Sequence, residues 1–252
     1  MIKNDRSDDK ILDYNSNISN ELTVVVSAFG SELKIYKSAL LNSVKKIYPK
    51  SKILFIGDEI NTDIDKINNL KSKIPYVRKS PGSLKIICWN QGIKLASSKY
   101  VLFMDLDTIL LKNLDKYINK LKNGDIDVIF SWRKNNTQWV NTGVLIVKKS
   151  SKTIDLFGEY EHKMLQDIQN NHNDQYTFLN FLSKDIDLSD KPRDYEVEIN
   201  SNGINYLGIS GDYINNNSSL VPWSENIYIL HLKGIMSTII LKNSKDNRYN
   251  NF

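Results

Sequence analysis

Two aspartates near the middle of the chain have the type and spacing of metal ligands. Asp105 and Asp107 follow residues 100–104, a run that is apolar on both faces, as in a buried strand. In extended backbone, residues two apart project to the same side, so the two carboxylates can converge. Two carboxylates this close repel each other unless a cation compensates them, and their oxygens suit Mg²⁺ or Mn²⁺. The pair therefore predicts a divalent-cation site that also accepts phosphate oxygens.

Two further side chains could extend such a site. His231 ends the apolar stretch 226–231, where a lone histidine is more often structural but can also complete a metal site. Lys85 lies in the first turn of a predicted helix, where backbone amides and the helix dipole attract anions, although a first-turn lysine is usually just solvated. Lys233 and Gly234 suit a diphosphate, and a surface lysine beside a turn glycine explains them equally well.

Two polar triplets stand beside apolar segments. One comprises Asn141, Thr142 and Gly143, and the other comprises residues 173–175, of which Asp174 and Gln175 are candidates for chemistry. Each triplet is compatible with ligand binding. The first is equally compatible with the start of a strand, and the second with a helix N-cap. Spacing leaves these alternatives open.

The elements that would position these residues alternate along the chain. The hydrophobic pattern predicts strands at residues 22–27, 52–56, 100–104, 127–131, 142–147 and 226–231, and helices at 35–47, 64–70, 84–96, 153–169 and 175–182. This alternation favours an α/β fold with a parallel sheet covered on both faces, where ligands bind beyond the carboxyl ends of the strands. We expect one domain over residues 21–252, after a polar, poorly ordered segment at residues 1–20.

Composition excludes some function classes. The surplus of five positive charges is mostly lysine, interleaved with acidic residues, so it predicts a solvated surface rather than a nucleic-acid groove. Cys88 is the only cysteine, and the apolar runs are far shorter than the roughly 20 residues of a membrane span. With no secretory signal in the first residues, we expect a cytoplasmic protein without a membrane span, and homodimer formation stays open.

Five segments in order resemble a known family. Residues 84–89, 100–108, 140–144, 173–175 and 231–234 are similar to motifs of glycogenin-like glycosyltransferases (glycosyltransferase family 8), which have the GT-A fold. The resemblance covers residues 23 to 234 and is strongest at 84–108. It implies a Rossmann-like, mostly parallel sheet flanked by helices. It also implies Mn²⁺-dependent transfer of a hexose from a UDP-sugar, usually with retention, to a glycan, protein or small-molecule acceptor.

The resemblance also implies roles for individual residues. It makes Asp105, Asp107 and His231 the metal ligands, with Leu106 between them, and it makes Asp174 and Gln175 the groups that face the reacting sugar. After Gly234, residues 235–237 replace the family's lysine and tryptophan, which leaves Lys233 and Lys242 as candidates for the diphosphate. The remaining donor contacts implied by the family are Ser27, Ala28, Phe29, Lys85, Asn141, Thr142, Gly143 and Gly234, with Lys233 as a candidate substitute for the missing lysine.

Two other functions compete for the same residues. An Asp-x-Asp after an apolar strand is also the nucleophile motif of phosphatases of the haloacid-dehalogenase type, but there it normally closes the first strand, whereas about three strand-helix units precede Asp105. The second competitor is a non-catalytic module that binds a glycan or nucleic acid through its basic surface. The ordered set of motifs favours the glycosyltransferase over both.

Overall fold

The computed structural model of the protein describes residues 18–28, 33–57, 84–133, 139–170, 172–182, 186, 188, 191–192, 194–217 and 226–232. Within the predicted N-terminal segment, Ile18 and Ser19 are buried, and residues 1–17 lie outside the described residues. The helix predicted at 64–70 also lies outside them.

The centre of the fold is a seven-stranded sheet. Its spatial order is β2-β1-β3-β6-β5-β8-β7. The strands are β1 (Leu22–Ala28), β2 (Lys52–Gly57), β3 (Tyr100–Asp105), β5 (Val128–Trp132), β6 (Val140–Lys148), β7 (Val197–Ser201) and β8 (Ile204–Ser210). The helices that flank it are α1 (Leu33–Ile47), α2 (Lys85–Leu95), α3 (Asp115–Asn123), α4 (Ser151–Asp167) and α5 (Asp174–Leu182).

Alternate residues along each central strand enter two separate cores, which explains why these strands are apolar throughout. In β3, Val101 and Phe103 join one core, whereas Leu102 and Met104 join the other. The first core packs under α2, α4 and α5, and the second packs under α1 and α3. The α/β fold with a sheet covered on both faces is therefore confirmed.

Strand β6 runs against its neighbours, and this direction matters for the site. The pairs β1–β2, β1–β3 and β5–β8 are parallel, but β6 is antiparallel to both β3 and β5, and β7 is antiparallel to β8. Because Met104 pairs with Val144, the start of β6 lies beside the carboxyl end of β3. The alternating pattern favoured a parallel sheet and did not reveal this reversal.

A second, three-stranded sheet contains the last predicted strand. Its order is β4 (Thr108–Leu110), β10 (Ile229–His231) and β9 (Asn216–Asn217). Only Ile229–His231 of the predicted stretch 226–231 forms the strand, and His231 pairs with Thr108 in antiparallel register. This pairing places His231, near the end of the described residues, beside the turn that follows Asp105.

The sequence pattern missed the hairpin of β7 and β8, as well as α3 and the short helix α6 (Gly211–Ile214). The hairpin turns at Asn202 and Gly203, which have φ of 52° and 72°. An Asn-Gly pair with positive φ at both residues is typical of a tight hairpin turn, so a local signal was present. It was overlooked because β7 alternates with exposed polar residues and has little apolar content.

Candidate active site

The candidate site lies where β1 and β3 end and β6 begins. Asp105 is the last residue of β3 and is in register with Ser27 of β1. The chain then turns through Leu106 and Asp107, and the turn is fixed by the Thr108 hydroxyl, which donates to the Asp105 carbonyl at 2.6 Å. The strand therefore presents Asp105 at the edge of the sheet, whereas Asp107 lies in the turn and not in the extended backbone from which the spacing argument started.

The first group of side chains, which we call the His231 cluster, comprises Asp105, Asp107 and His231. Nε2 of His231 lies 3.0 Å from Oδ1 of Asp107 and 3.8 Å from Oδ2 of Asp105. One ligand atom from each of the three residues lies within 4.8 Å of the others. The imidazole is 3% exposed, whereas the carboxylates are partly exposed. Chain segments far apart in sequence thus bring together the three predicted metal ligands.

The backbone of β6 leaves room for this cluster because residue 143 is glycine. A Cβ at Gly143 would lie 2.9 Å from Cε1 of His231 and 3.0 Å from Oδ2 of Asp105. Contacts this short would force one of the two side chains to move. Gly143 therefore shapes the space in which the carboxylate and the imidazole meet.

The donor set of the His231 cluster fits a divalent cation. Two carboxylates and one imidazole nitrogen form a mixed oxygen and nitrogen set, which Mn²⁺ accepts and which Mg²⁺ accepts less readily because it prefers oxygen. The partly exposed carboxylates leave one side of the cluster accessible to a phosphate. The cluster therefore has the composition and the convergence that a metal bound with a diphosphate requires.

The second group, the Lys85 cluster, comprises Lys85, Asp105, Thr142 and Asp174. Nζ of Lys85 lies 3.2 Å from Oδ1 of Asp105 and 3.0 Å from Oδ2 of Asp174. Burial by itself lowers the pKa of Lys85, but the charges of Asp105 and Asp174 more than offset it and raise that pKa above its usual value. Lys85 is therefore a permanent cation that joins α2, β3 and α5.

Asp174 is held from several sides at the start of α5. The Thr142 hydroxyl donates to Oδ2 of the Asp174 carboxylate. The buried Tyr160 hydroxyl donates to the backbone carbonyl of Asp174 at 2.6 Å. Just before it, Oδ1 of Asn173 accepts from the amide of Tyr176 at 2.9 Å and so caps the helix. Of the alternatives that spacing left open for the second triplet, the helix N-cap is therefore present at Asn173. Gln175, the next residue along α5, is partly exposed.

The other predicted contacts fall into two sets. Oδ1 of Asn141 accepts from the amide of Gly143 at 2.8 Å, and Nδ2 of Asn141 is buried without a hydrogen-bond partner among the described residues. Ser27 and Ala28 end β1 beside Asp105, and the Ser27 hydroxyl is likewise buried and unpartnered within the described ranges. Phe29, Lys233, Gly234 and Lys242 lie outside the described residues.

The comparison with protein families now identifies the chain. A family profile described as nucleotide-diphospho-sugar transferase matches residues 95–236, which is 142 of 252 residues and more than half of the sequence. The chain belongs to the nucleotide-diphospho-sugar transferase family. The match spans β3, both aspartates, both polar triplets and His231. No curated protein matches this transferase at a significant level.

Solved structures confirm the GT-A fold of the transferase. A glycosyltransferase involved in the glycosylation of the major capsid of PBCV-1 has 14% identity and a TM-score of 0.57, over 88% of this chain and 97% of that chain. The galactosyltransferase LgtC has 13% identity and a TM-score of 0.50, over 84% and 87% of the two chains. The glycosyltransferase GlyE of Streptococcus pneumoniae TIGR4 has 13% identity and a TM-score of 0.54, over 92% and 57%.

Three residues that contact the site in this transferase were not singled out in the sequence. Tyr160 supports Asp174, whereas Asn215 and Ser131 lie behind His231: Nδ1 of His231 is 2.7 Å from Oδ1 of Asn215, and Nδ2 of Asn215 donates to the Ser131 hydroxyl at 3.0 Å. No local signal points to Asn215 or Ser131, because each matters only through partners distant in the sequence.

No helix in the described part of the chain has both the length and the apolar character needed to cross a bilayer.

Proposed function

We propose that this transferase moves a hexose from a UDP-sugar to an acceptor hydroxyl, with retention of the anomeric configuration and with dependence on Mn²⁺ or Mg²⁺. Membership of the nucleotide-diphospho-sugar transferase family supports the donor class. The UDP base, the hexose and retention are supported by the glycogenin-like resemblance, which itself stays a prediction. The phosphatase alternative has no observation in its favour.

One observation carries the metal dependence. Ligand atoms of Asp105, Asp107 and His231 converge within 4.8 Å beyond the carboxyl end of a central strand, where α/β folds bind ligands. We propose these three residues as the metal ligands. A divalent cation held there would act as a Lewis acid and stabilise the charge that develops on the diphosphate leaving group.

The protein's own residues would orient the donor. Gly143 keeps the space beside Asp105 free of a side chain. Nδ2 of Asn141, which has no partner among the described residues, is a buried donor that a sugar hydroxyl would satisfy. The Ser27 hydroxyl, which is also buried and unpartnered among the described residues, is a second such group near the end of β1. These groups would fix the donor sugar relative to the leaving group.

Asp174 and Gln175 are the proposed catalytic pair. Because Lys85 and Thr142 both bind the Asp174 carboxylate, its orientation is fixed and its negative charge is partly offset. Such a carboxylate is better suited to holding a sugar hydroxyl and stabilising positive charge on the ring than to covalent attack. Gln175 is partly exposed at the same helix start, so its amide would be available to orient the sugar and the acceptor hydroxyl.

The proposal predicts metal-dependent nucleotide release. Purified protein should be screened with UDP-glucose, UDP-galactose and other nucleotide sugars, with Mn²⁺, Mg²⁺ or EDTA, while released nucleotide is measured. Donor-induced thermal stabilisation gives a second readout. We expect release from at least one UDP-sugar, lost with EDTA, and NMR of the product should show the anomeric configuration of the donor.

Asp107→Asn tests the ligand assignment directly. We expect release to fall by roughly 10³-fold, because a metal supplies several kcal/mol of charge stabilisation in the transition state. Asp155→Asn, at an exposed position of α4, is the matched control and should leave the rate unchanged. Unaltered turnover in Asp107→Asn would exclude the proposed metal site.

A further inference from the structure

His231 is the first of four buried polar groups that are linked in a chain by hydrogen bonds. Nδ1 of His231 is 2.7 Å from Oδ1 of Asn215, Nδ2 of Asn215 is 3.0 Å from the Ser131 hydroxyl, and that hydroxyl is 2.8 Å from the carbonyl of Asn141. The side chains of Ser131, Asn215 and His231 belong to residues that are at most 3% exposed. Solvent therefore does not compete for these hydrogen bonds, and each donor and acceptor depends on its neighbour.

The direction of every bond in this chain follows from the last one. The Asn141 carbonyl can only accept, so the single proton of the Ser131 hydroxyl is used to donate to it. The Ser131 oxygen must then accept from Asn215, which orients the amide so that Nδ2 faces Ser131 and Oδ1 faces His231. Since Oδ1 can only accept, Nδ1 of His231 must carry a proton.

This fixed proton leaves Nε2 as the nitrogen available to a metal. Nε2 is also the atom that faces the two carboxylates, at 3.0 Å from Asp107 and 3.8 Å from Asp105. Metal-bound histidines usually donate their other ring N–H to a fixed acceptor, which sets both the tautomer and the ring orientation. Here the acceptor is an amide, and a serine on the central sheet in turn fixes that amide.

We propose that Asn215, held by Ser131, is a positioning residue that fixes His231 as the Nδ1–H tautomer and presents Nε2 to the divalent cation. The inference rests on the proposed function, because it takes His231 to be a ligand. It further assigns Ser131 a role that neither the family match nor the resemblance provides. Through the Asn141 carbonyl, the same chain connects the metal ligand to the strand that carries the proposed donor contacts.

The fold gives Asn215 its place through three elements. Asn215 caps the carboxyl end of α6, where its backbone N–H donates to the Gly211 carbonyl at 3.0 Å. The following residues form β9, which pairs in parallel with β10 and so brings Asn215 beside His231. Strand β5 supplies Ser131 from the main sheet. The chain of hydrogen bonds thus crosses from the small sheet to the large one.

The other neutral tautomer of His231 shows why an acceptor beside Nδ1 is needed. Without Asn215, a neutral imidazole can place its proton on Nε2 and donate it to Asp107, which lies at hydrogen-bond distance. That tautomer removes the nitrogen lone pair from the metal site and occupies a carboxylate oxygen that the metal would use. Asn215 disfavours this state because Nδ1 would then face Oδ1, and two acceptors would meet.

The first test reads the tautomer in the unmodified protein. The sequence has three histidines, so ¹⁵N-edited long-range NMR spectra of histidine-labelled, metal-free protein can be assigned with one variant, His231→Gln. In this metal-free state we expect His231 to carry a proton on Nδ1, held by Oδ1 of Asn215, and we expect Nε2 to lose any proton that it shares with Asp107 when the diamagnetic cation Mg²⁺ is added. A proton on Nε2 with a bare Nδ1 would overturn the inference without any metal being present.

The second test measures Mn²⁺ affinity by calorimetry in four proteins. Asn215→Leu should weaken binding about 10- to 100-fold relative to wild type, as is usual when the partner of a metal-bound histidine is removed. Asn215→Asp keeps an acceptor for Nδ1–H and should restore most of the affinity. Asn216→Leu is the matched control, because it removes a neighbouring buried side-chain amide whose Nδ2 donates to the Asp212 carbonyl.

The outcomes separate this inference from the proposed function. Wild-type affinity in Asn215→Leu, or no recovery in a folded Asn215→Asp, would overturn the role of Asn215 while leaving the metal site intact. Failure of the wild-type protein to bind Mn²⁺, with or without UDP, would overturn the metal site and this inference together. Equal losses in Asn215→Leu and Asn216→Leu would show a packing effect and would also contradict the assignment.

Discussion

The two clusters of the site share Asp105 and differ in what they need from outside the protein. In the Lys85 cluster, a buried ammonium lies between the carboxylates of Asp105 and Asp174, and Thr142 adds a hydrogen bond. In the His231 cluster, the same Asp105 meets a second carboxylate and an imidazole nitrogen that is suited to be a ligand. The first cluster carries its own cation, whereas the second is the site at which we propose that a cation binds.

This difference separates residues that stabilise the fold from residues proposed to bind the metal. Folding alone satisfies the Lys85 cluster, so its residues should contribute to stability before any donor binds. In the His231 cluster, a metal would hold together groups that otherwise repel each other. Substitutions in this cluster should therefore alter mainly the metal affinity. Substitutions that separate stability from metal binding can test this division.

Lys85→Met should have the largest effect on stability. It leaves the carboxylates of Asp105 and Asp174 without the ammonium between them, and removing one partner of a buried ion pair costs about 3–5 kcal/mol. Urea denaturation of the metal-free protein measures the free energy of unfolding. Lys152→Met, which removes an exposed lysine paired with Asp127 at 2.6 Å, is the control and should cost less than about 1 kcal/mol. Similar losses in both variants would contradict the comparison.

Gly143→Ala should have an intermediate effect and act on the other cluster. The added Cβ would lie 2.9 Å from His231 and 3.0 Å from Asp105, so we expect a cost of about 1–3 kcal/mol and a clear loss of Mn²⁺ affinity. Gly158→Ala is the control: nothing lies within 4 Å of its added Cβ, and in the interior of α4 alanine should stabilise by about 0.5–1 kcal/mol. Unaltered Mn²⁺ affinity in Gly143→Ala would show that the cluster adjusts freely.

Tyr160→Phe should have the smallest effect on stability and tests how Tyr160 supports Asp174 in the Lys85 cluster. The variant loses the hydrogen bond to the Asp174 carbonyl, which should cost about 1 kcal/mol at pH 7. Burial, with the charges of Asp174 and Asp105, raises the pKa of Tyr160 well above its usual value. Its stabilisation is therefore fully present below the unfolded-state pKa of about 10 and declines above it, because the unfolded chain then releases the proton first.

The free energy of unfolding, measured against pH, tests the direction of the Tyr160 contribution. Above pH 10, wild-type stability should fall faster than that of Tyr160→Phe by about 1.4 kcal/mol per pH unit, so the difference between the two proteins should shrink. Unfolding free energies at a series of alkaline pH values measure this difference. A constant gap between the two curves would mean that the Tyr160 hydroxyl is not protected in the folded state.

Much of the fold was predictable because local patterns encode it. Residues 100–104 are apolar on both faces since β3 lies between two cores, and this pattern placed Asp105 and Asp107 correctly at its end. The helices α1, α2, α4 and α5 and their strands were predicted to within a few residues. The hairpin of β7 and β8 was missed although its Asn-Gly turn is a local signal, because its first strand is weakly apolar.

Local sequence patterns encode strand β3, the helix starts and the position of the two aspartates after that strand, because periodic burial and turn chemistry act over a few neighbouring residues. Three relations become visible only in the folded chain: β6 is antiparallel to β3, Lys85 lies between Asp105 and Asp174, and Asn215 contacts His231. These relations join residues far apart in the chain. Their stability depends on many packing contacts at once, so no local pattern can record which distant groups will meet.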